Sequence, residues 1–285
     1  MARIVESVTA MRALVTEARK KGKSIGFVPT MGALHAGHLE LMKEAKKLCD
    51  VVVVSIFVNP TQFGPNEDFD AYPRTWDEDL AACRSVGVDA VFHPPARELY
   101  PDGWGTWVDV GGVTDKLCGK SRPTHFRGVA TVVTKLFNIV QPDKAFFGQK
   151  DAQQVIVLKK MVRDLDMFNE IVMVPIVREA DGLAKSSRNA YLSQEQRQAA
   201  LVLNQSLSTA FDMAASGERD ITAIKAAVLR HIQSVSLANV DYVEIYSFPD
   251  LAEIDILDQD ALLAVAVKFG STRLIDNIIL TPKRT

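Results

Sequence analysis

Residues 24–57 read SIGFVPTMGALHAGHLELMKEAKKLCDVVVVSIF, and this stretch decides the fold class. Its patterns predict a strand at Ser24–Val28, a helix from about Gly37 to Leu48 and a second strand at Val51–Phe57. The second strand is apolar at every position but Ser55 and rich in β-branched residues, as in a central strand that is buried on both faces. A strand–helix–strand unit of this kind indicates a parallel sheet with helices on its faces.

Strand-like and helix-like patterns alternate through the rest of the first half. We expect helices at residues 4–20, 76–86, 128–140 and 151–166, and strands at Ala90–His93, Ala145–Phe147 and Ile171–Val177. This alternation predicts an α/β fold, a Rossmann-like parallel sheet with helices on both faces. Ligands of such sheets bind beyond the carboxyl ends of the strands.

The pattern changes after residue 177. Two helices are expected at residues 193–215 and 218–235, followed by strands at Tyr242–Tyr246, Leu262–Phe269 and Ile275–Leu280. Consecutive strands without crossover helices suggest an antiparallel sheet. A chain of 285 residues is long enough for two cores. We therefore predict a first domain at residues 1–177 and a smaller α+β domain at residues 178–285.

Bulk composition excludes several classes of protein. Lys and Arg number 33 against 35 Asp and Glu, a net charge of −2, so no basic excess supports a nucleic-acid partner. Three widely spaced cysteines without a CxxC pair make a structural zinc site improbable. The N-terminus lacks the apolar core of a signal peptide, and the apolar runs are strand-sized, so we expect no membrane span and a cytoplasmic location.

The segment with the most informative chemistry is FVPTMGALHAGHLELMKEAKK, residues 27–47. His35 and His38 can project from one side of a helix start, where free amides and the helix dipole attract phosphate. Gly32 and Gly37 allow the backbone to approach a ligand closely. Taken alone, the histidines have a plainer explanation, in which they cap the helix and pack. A zinc site is less favoured, because helical zinc pairs usually have i, i+4 spacing and need a third ligand. The nucleotide-binding motifs GxxxxGK[ST] and GxGxxG are both absent from the sequence.

Three further stretches carry polar groups after predicted strands. The first is FFGQKDAQQ at residues 146–154, whose lysine and aspartate could contact a phosphate or a metal ion. The alternative is a capped helix with a surface lysine. The second is READGLAKSSRNAYLS at residues 178–193, whose hydroxyls and cations suit a polyphosphate, or else form a polar linker. The third is SIFVNPTQFGPNEDFDAYPRT at residues 55–75. Its side-chain amides suit a small polar substrate, and the loop after Gln62 is a candidate cover of the site. The alternative is that the segment is an ordinary surface loop.

Together these segments resemble the nucleotidylyltransferase and class I synthetase superfamily, in which an HxGH helix start is paired with a later Lys/Ser-rich loop. More specifically, the chain resembles the pantothenate synthetase family over nearly its whole length. The motifs that carry this resemblance are PTMGALHAGH (29–38), SIFVNPTQF (55–63), DAYPRT (70–75), RPTHFRGV (122–129), FFGQKDAQQ (146–154) and LAKSSRNAYL (183–192). DYVEIYSF and STRLIDNI near the C-terminus are similar to the family too.

The resemblance implies a ligase that adenylates pantoate with ATP and then joins the pantoyl group to β-alanine. It also implies Mg²⁺ held mainly through the ATP phosphates, a homodimer, and a C-terminal domain that contacts ATP and acts as a lid. The residues that match the ATP site are Pro29, Thr30, Met31, Gly32, Ala33, Leu34, His35, Ala36, Gly37, His38, Gly148, Gln149, Lys150, Asp151, Val177, Lys185, Ser186, Ser187 and Arg188.

Other site residues follow from the same match. Catalytic roles fall on His35, His38, Lys150 and Arg188, with His38 as the proton donor. Pantoate would contact Met31, Asn59, Gln62 and Gln154, and Gln62 would also contact β-alanine. Arg122 and His125 match positions near the pantoate and β-alanine end. Two departures are minor: Gln149 stands where the family often has Glu, and Lys185 stands where members have Lys or an apolar residue.

Two other functions stay open on the sequence. A simple adenylyltransferase would stop at an adenylated product, and a non-catalytic nucleotide sensor would only bind ATP. A tRNA ligase is disfavoured, since no anticodon-binding region or basic tract follows.

Overall fold

The structure is a computed structural model and describes residues 2–65, 67 and 69–283. The chain divides into two compact units. Unit 1 comprises Met1–Gln149 and Gln153–Pro175, and unit 2 comprises Lys150–Ala152 and Ile176–Thr285. The short segment Lys150–Ala152 groups with unit 2, where the Lys150 carbonyl accepts a hydrogen bond from the Asn277 side chain at 3.0 Å. No helix among the described residues combines the length and apolar character needed to cross a membrane.

Unit 1 is built on a six-stranded sheet in the order β1-β4-β3-β2-β5-β6, with every neighbouring pair parallel. The strands are β1 (Arg3–Val5), β2 (Ile25–Thr30), β3 (Val51–Ile56), β4 (Ala90–Phe92), β5 (Lys144–Gly148) and β6 (Glu170–Val174). The helices are α1 (Val8–Lys20), α2 (Ala36–Leu48), α3 (Trp76–Ser85), α4 (Ala96–Leu99), α5 (Leu117–Ser121), α6 (His125–Val140) and α7 (Ala152–Asp164). The predicted Rossmann-like α/β class is confirmed.

Strand β3 shows why its apolar run has no polar alternation. Val51 and Val53 belong to a core that includes residues of α1, α6 and α7, whereas Val52 and Val54 belong to a core that includes residues of α2 and α3. Alternate side chains of a strand point to opposite faces, so a strand in a sheet covered on both faces is apolar at nearly every position, and buried Ser55 is the exception in β3.

Unit 2 packs helices on an antiparallel sheet of three strands, β7-β8-β9. Its elements are α8 (Gln194–Ala200), α9 (Val202–Ser216), α10 (Ile221–Gln233), β7 (Ala238–Ser247), β8 (Ala261–Phe269) and β9 (Thr272–Leu280). One core joins α9, α10 and the sheet. The predicted α+β composition with an antiparallel sheet is therefore confirmed.

Some predicted boundaries were wrong. The helix expected at residues 4–20 begins only at Val8, because Ser7 caps it by accepting a hydrogen bond from the Ala10 amide at 3.2 Å. The residues before it form β1, an edge strand that pairs with β4. Three residues are too few to show a period in the sequence. The helix expected at 193–215 is divided at Leu201 into α8 and α9.

Candidate active site

The segments that follow β2, β3 and β5 begin at one edge of the unit 1 sheet, because these three parallel strands are neighbours. After β2 the chain forms a tight loop before α2. Gly32 and Ala33 both adopt left-handed backbone conformations there, with φ of +85° and +50°. An alanine with positive φ costs about 1–2 kcal/mol, so the surrounding structure has to hold the loop in this shape.

Asp79 of α3 holds that loop. Its carboxylate accepts hydrogen bonds from the backbone amides of Ala33 at 3.0 Å and Leu34 at 2.7 Å, and from the hydroxyl of Thr75 at 3.2 Å. Asp79 is only 2% exposed. The amides of Ala33 and Leu34 therefore face the protein interior. Sequence reasoning missed Asp79, since a single acidic residue in the first turn of a helix is common.

His35 and His38 cap α2 and lie side by side, with ring centroids 4.1 Å apart. Nδ1 of His35 accepts a hydrogen bond from the Gly37 amide at 3.1 Å, and Nδ1 of His38 accepts one from the His35 amide at 3.2 Å. This pattern assigns the proton of each neutral ring to Nε2. The capping role and the predicted phosphate role are thus compatible, because they use opposite nitrogens of each ring.

The short 3-10 turn Pro60–Gln62 follows β3 and presents Gln62. Asn59, 1% exposed, directs it: the Asn59 amide donates to Gln62 Oε1 at 3.0 Å and to the Gly128 carbonyl at 3.3 Å. The Asn59 oxygen accepts from the Tyr100 hydroxyl at 2.8 Å and the Thr61 hydroxyl at 2.9 Å. The side chain of Asn59 thus helps to orient Gln62, and its direct contact with pantoate stays a prediction.

Gln62 contacts another predicted site residue. Its amide donates to the sulfur of Met31 at 3.0 Å, which joins the segment after β2 to the segment after β3. The turn also approaches α6 closely, since a Cβ on Gly128 would lie 2.2 Å from the Thr61 carbonyl oxygen. Glycine at 128 is therefore a packing requirement of the turn that carries Gln62.

Tyr100 is a second residue that the sequence analysis missed. Its hydroxyl donates to Asn59 and lies 3.3 Å from the hydroxyl of Thr61. Burial raises the pKa of the Tyr100 hydroxyl, and the hydrogen bond with Thr61 offsets part of that rise. Tyr100 thus stays a neutral hydrogen-bond donor that supports Asn59.

Arg122 and His125 lie together near Gln62. Nδ1 of His125 is 2.9 Å from the Gln62 carbonyl, and Nε2 is 3.2 Å from the Arg122 guanidinium. Arg122 also forms a two-point ion pair with Glu67. Burial alone would raise the pKa of the Glu67 carboxyl, but the hydrogen bonds and charge of Arg122 outweigh burial and lower it. Asn66 and Asp68, in the loop expected as a cover, lie outside the described residues.

The two glutamines at the start of α7 have different surroundings. Gln153, 6% exposed, anchors the segment before α5: it accepts from the Cys118 amide at 2.9 Å and donates to the carbonyls of Val113 at 3.0 Å and Lys116 at 2.6 Å. Gln154, the predicted pantoate contact, is half-buried. Gln153 is therefore structural.

A cavity of about 650 Å³ opens in unit 1 beside the loop after β2. Met31, Gly32, Phe57 and Asp79 form part of its wall, and the remaining wall residues are mostly apolar or come from residues 93–98. His35, His38 and Gln62 are not among its wall residues in the described part of the chain. The cavity borders the candidate site without containing its principal polar groups.

Unit 2 carries the remaining predicted phosphate contacts. Lys150 is half-buried and lies 3.9 Å from Asp151. The segment before α8 begins at Arg178, which binds the buried carboxylate of Asp276 at 2.7 and 3.0 Å. Ser186 caps the 3-10 turn Ser187–Tyr191 by accepting from the Arg188 amide at 3.2 Å. These contacts give the Lys/Ser-rich segment a defined shape.

Glu179 is the anchor of that segment. It accepts from Asn189 at 2.9 Å and from Arg197 at 2.8 Å, and it lies 3.5 Å from the Lys185 ammonium. Burial alone would raise the pKa of Glu179, but the hydrogen bond from Asn189 and the charges of Lys185 and Arg197 lower it. The charge of Lys185 is thus shared with a carboxylate of its own unit.

Comparison with known proteins identifies the family. A family model described as pantoate-beta-alanine ligase matches residues 3–279. The chain is 61% identical to the pantothenate synthetase of Pelotomaculum thermopropionicum, over 97% of this chain and 98% of that protein. It is 54% identical to the pantothenate synthetase of Acetivibrio thermocellus, over 98% and 99% of the two chains.

Solved structures agree. The pantothenate synthetase of Thermus thermophilus has a TM-score of 0.93 and 43% identity, covering 98% of this chain and 100% of that one. The pantoate-beta-alanine ligase of Francisella tularensis, complexed with beta-gamma ATP and beta-alanine, has a TM-score of 0.80 and 33% identity, covering 98% of each chain. Since the match spans nearly the whole sequence and the whole fold, the chain belongs to the pantoate-beta-alanine ligase family.

Proposed function

We propose that this chain is a pantothenate synthetase, which condenses pantoate with β-alanine at the expense of ATP. The products are pantothenate, AMP and pyrophosphate, and the intermediate is pantoyl adenylate. Family membership supports the overall reaction. The structural observation that carries the proposal is the histidine pair at the start of α2, whose Nδ1 atoms are used as caps so that the Nε2 atoms carry the protons.

In the first step an oxygen of the pantoate carboxylate attacks the α-phosphorus of ATP, and the bond to the β-phosphate oxygen breaks. Negative charge grows on the departing pyrophosphate. Donors that are already aimed at such charge lower the barrier without reorganising. We assign this role to the Nε2–H groups of His35 and His38, which act as hydrogen-bond donors to the growing charge.

In the second step the amine of β-alanine attacks the acyl carbon of the mixed anhydride, the bond to the AMP oxygen breaks, and the amine loses a proton. No protein nucleophile is required, because the adenylate is already an activated acyl group. Water has to be kept away from the anhydride. The loop after Gln62 and unit 2 are the candidate covers, and the role of unit 2 as a lid stays a prediction.

The cationic segments of unit 2 are proposed to bind the phosphates. Lys150 and Arg188 supply positive charge, and Ser186 and Ser187 supply hydroxyls. Lys185 is a weaker contributor, because Glu179 balances its charge. We also propose Mg²⁺ as the cofactor, which would neutralise phosphate charge. Among the described residues no three His, Cys, Asp or Glu side chains are grouped to hold a metal, so its ligands would be mainly phosphate oxygens, with Asp151 as the nearby carboxylate.

The pantoate site is proposed to lie around Met31 and Gln62, which are in contact, with Gln154 as a further amide. An amide pair and a thioether suit a hydroxy acid with a branched apolar carbon. β-Alanine is assigned to Gln62 and to the neighbouring Arg122 and His125. The homodimer and the cytoplasmic location stay predictions.

One assay tests the function against its two rivals. The purified protein is incubated with ATP, Mg²⁺, pantoate and β-alanine, and the products are separated by mass spectrometry, with each substrate omitted in turn as a control. We expect AMP and an amide only when all are present. Pyrophosphate with a stable adenylate would instead identify an adenylyltransferase, and ATP binding without turnover would identify a sensor.

A further inference from the structure

The buried carboxylate of Asp79 has no role in the chemistry just described, yet it contacts the loop that delivers both histidines. Its two oxygens accept the amides of Ala33 and Leu34. These amides precede His35 directly, so the carboxylate fixes the backbone from which the N-cap of α2 emerges.

The environment of Asp79 is unusual for a carboxylate that serves only to stabilise a helix. A buried charge is normally paired with a cation. Within residues 2–65, 67 and 69–283 Asp79 makes no ion pair, and its donors are two backbone amides and the Thr75 hydroxyl. The Asp79 carboxylate therefore binds the loop and Thr75, the N-cap residue of its own helix.

The loop and Asp79 are also matched in shape. A Cβ on Gly32 would lie 2.9 Å from Asp79 Oδ2, which is too close for an unstrained contact. The left-handed backbone of Gly32 and Ala33 turns the following amides toward the carboxylate. Without an acceptor there, two amides would be buried without partners, and Ala33 would relax from its strained conformation.

We propose that Asp79 is a positioning residue for the adenylation step: it holds the loop at residues 31–35 so that the rings of His35 and His38 are aimed at the phosphates. This inference rests on the proposed function. It predicts that Asp79 acts through the histidines and not on the β-alanine step.

The test is a double-mutant cycle between Asp79→Asn and His38→Ala, measured by pantoate-dependent exchange of labelled pyrophosphate into ATP. An asparagine offers one acceptor oxygen and one amide donor, so one of the two loop amides loses its partner. A misplacement of about 1 Å costs on the order of 100-fold in rate. We expect Asp79→Asn to lower the exchange rate about 10- to 100-fold and to leave KM for β-alanine, measured in the complete reaction, unchanged. In a protein whose His38 is already alanine, the same substitution should have little further effect on the exchange rate.

Two other variants keep the test decisive. Thr75→Ala removes one hydrogen bond to Asp79 and should lower the exchange rate by a smaller factor. This variant replaces Asp79→Asn in the test if Asp79→Asn does not fold. Cys83→Ala alters a buried residue one turn further along the same helix and should lower only the thermal unfolding midpoint. Exchange at the full wild-type rate in folded Asp79→Asn, or losses that multiply with those of His38→Ala, would overturn the inference. Absence of pantothenate formation by the wild-type protein would instead refute the proposed function.

Discussion

At the scale of single residues, the loop after β2 depends on backbone conformations that few side chains tolerate. Gly32 and Ala33 are consecutive left-handed residues, and the loop packs against Asp79 and Ile56. The residue types therefore matter here through their backbones as much as through their functional groups.

Gly32→Ala tests this requirement, with Gly87→Ala as the matched control. Both glycines have positive φ, +85° and +77°, but a Cβ at Gly87 meets nothing within 4 Å. Gly87→Ala should cost about 1–2 kcal/mol of unfolding free energy from backbone strain alone. Gly32→Ala should cost about 1–3 kcal/mol more, from the contacts with Asp79 and Ile56, and should also lower activity. Urea denaturation measures both, and equal losses would contradict the packing argument.

His38→Ala tests the histidine pair. Removing one donor that is preorganised toward developing charge typically lowers kcat about 100-fold, so we expect at least that loss in a folded variant. His231→Ala is the control, since His231 lies on α10 and contacts Thr209. Steady-state kinetics and a thermal melt of both variants decide the matter, and near-wild-type turnover of folded His38→Ala would defeat the assignment.

At the scale of elements, short connections between regular structures carry the site. The turn Pro60–Gln62 is held by Asn59, Tyr100 and the close approach of Gly128. The segment at residues 178–192 is held by two carboxylates, Glu179 and Asp276, which bind residues from opposite ends of it. Each connection takes part of its shape from residues outside it, such as Tyr100 for the turn and Asp276 for the segment.

The proposed pantoate site is tested by substitutions of two proposed contacts and of one residue that supports the turn. Gln62→Ala and Gln154→Ala should mainly raise KM for pantoate, because neutral amides bind without transferring a proton at neutral pH. Tyr100→Phe removes the hydrogen bonds of the Tyr100 hydroxyl with Asn59 and Thr61, so it should raise the same KM by a smaller factor. Kinetics with varied pantoate and varied ATP separate the effects. An unchanged KM for pantoate with a large rise for ATP would show that the pocket is misassigned.

The anchor in unit 2 predicts a pH dependence of stability. The pKa of Glu179 is lowered from its usual value of 4.5, so the ionised form is favoured in the folded state. Its contribution is then present above about pH 4.5 and is lost as the pH falls through the lower folded-state pKa. Glu179→Gln should be less stable than wild type at neutral pH, and this difference should shrink below about pH 4.5. Urea denaturation from acidic to neutral pH measures the difference in unfolding free energy between the two proteins. A difference that grows on acidification would refute the stabilising role of ionised Glu179.

At the scale of the whole molecule, the reaction divides into two steps with different requirements. Adenylation needs pantoate, ATP and the phosphate-binding groups, whereas β-alanine has no target until the anhydride exists. The chain carries its histidine pair and its glutamines in unit 1, and the cationic segments that are proposed to bind phosphate in unit 2.

We therefore expect pantoate-dependent pyrophosphate exchange into ATP without β-alanine. Lys150→Ala should suppress this exchange, because Lys150 is assigned to the phosphates. Lys159→Ala, which alters an exposed lysine of α7, is the matched control and should leave it unchanged. A strict requirement for β-alanine would show that the order of steps is wrong. Full-rate exchange by the Lys150 variant would remove the segment after β5 from the ATP site.

The sequence by itself determined the fold class, the positions of most strands and helices, and the family. The reason is that these properties are recorded locally: a strand buried on both faces shows an apolar run such as Val51–Val54, and long motifs such as PTMGALHAGH identify relatives without any contact being known. It failed where an element was too short to show a period, as at β1, and where a helix was divided, as at Leu201.

Only the tertiary structure decided what supports the candidate site. Asp79 lies 46 residues from Ala33, Tyr100 lies 41 residues from Asn59, and Asp276 lies 98 residues from Arg178, so no local pattern links the members of these pairs. Such partners are brought together by the packing of helices and strands. For the same reason the sequence could not show that the amide of Asn59 donates to Gln62 and to the Gly128 carbonyl, 69 residues away.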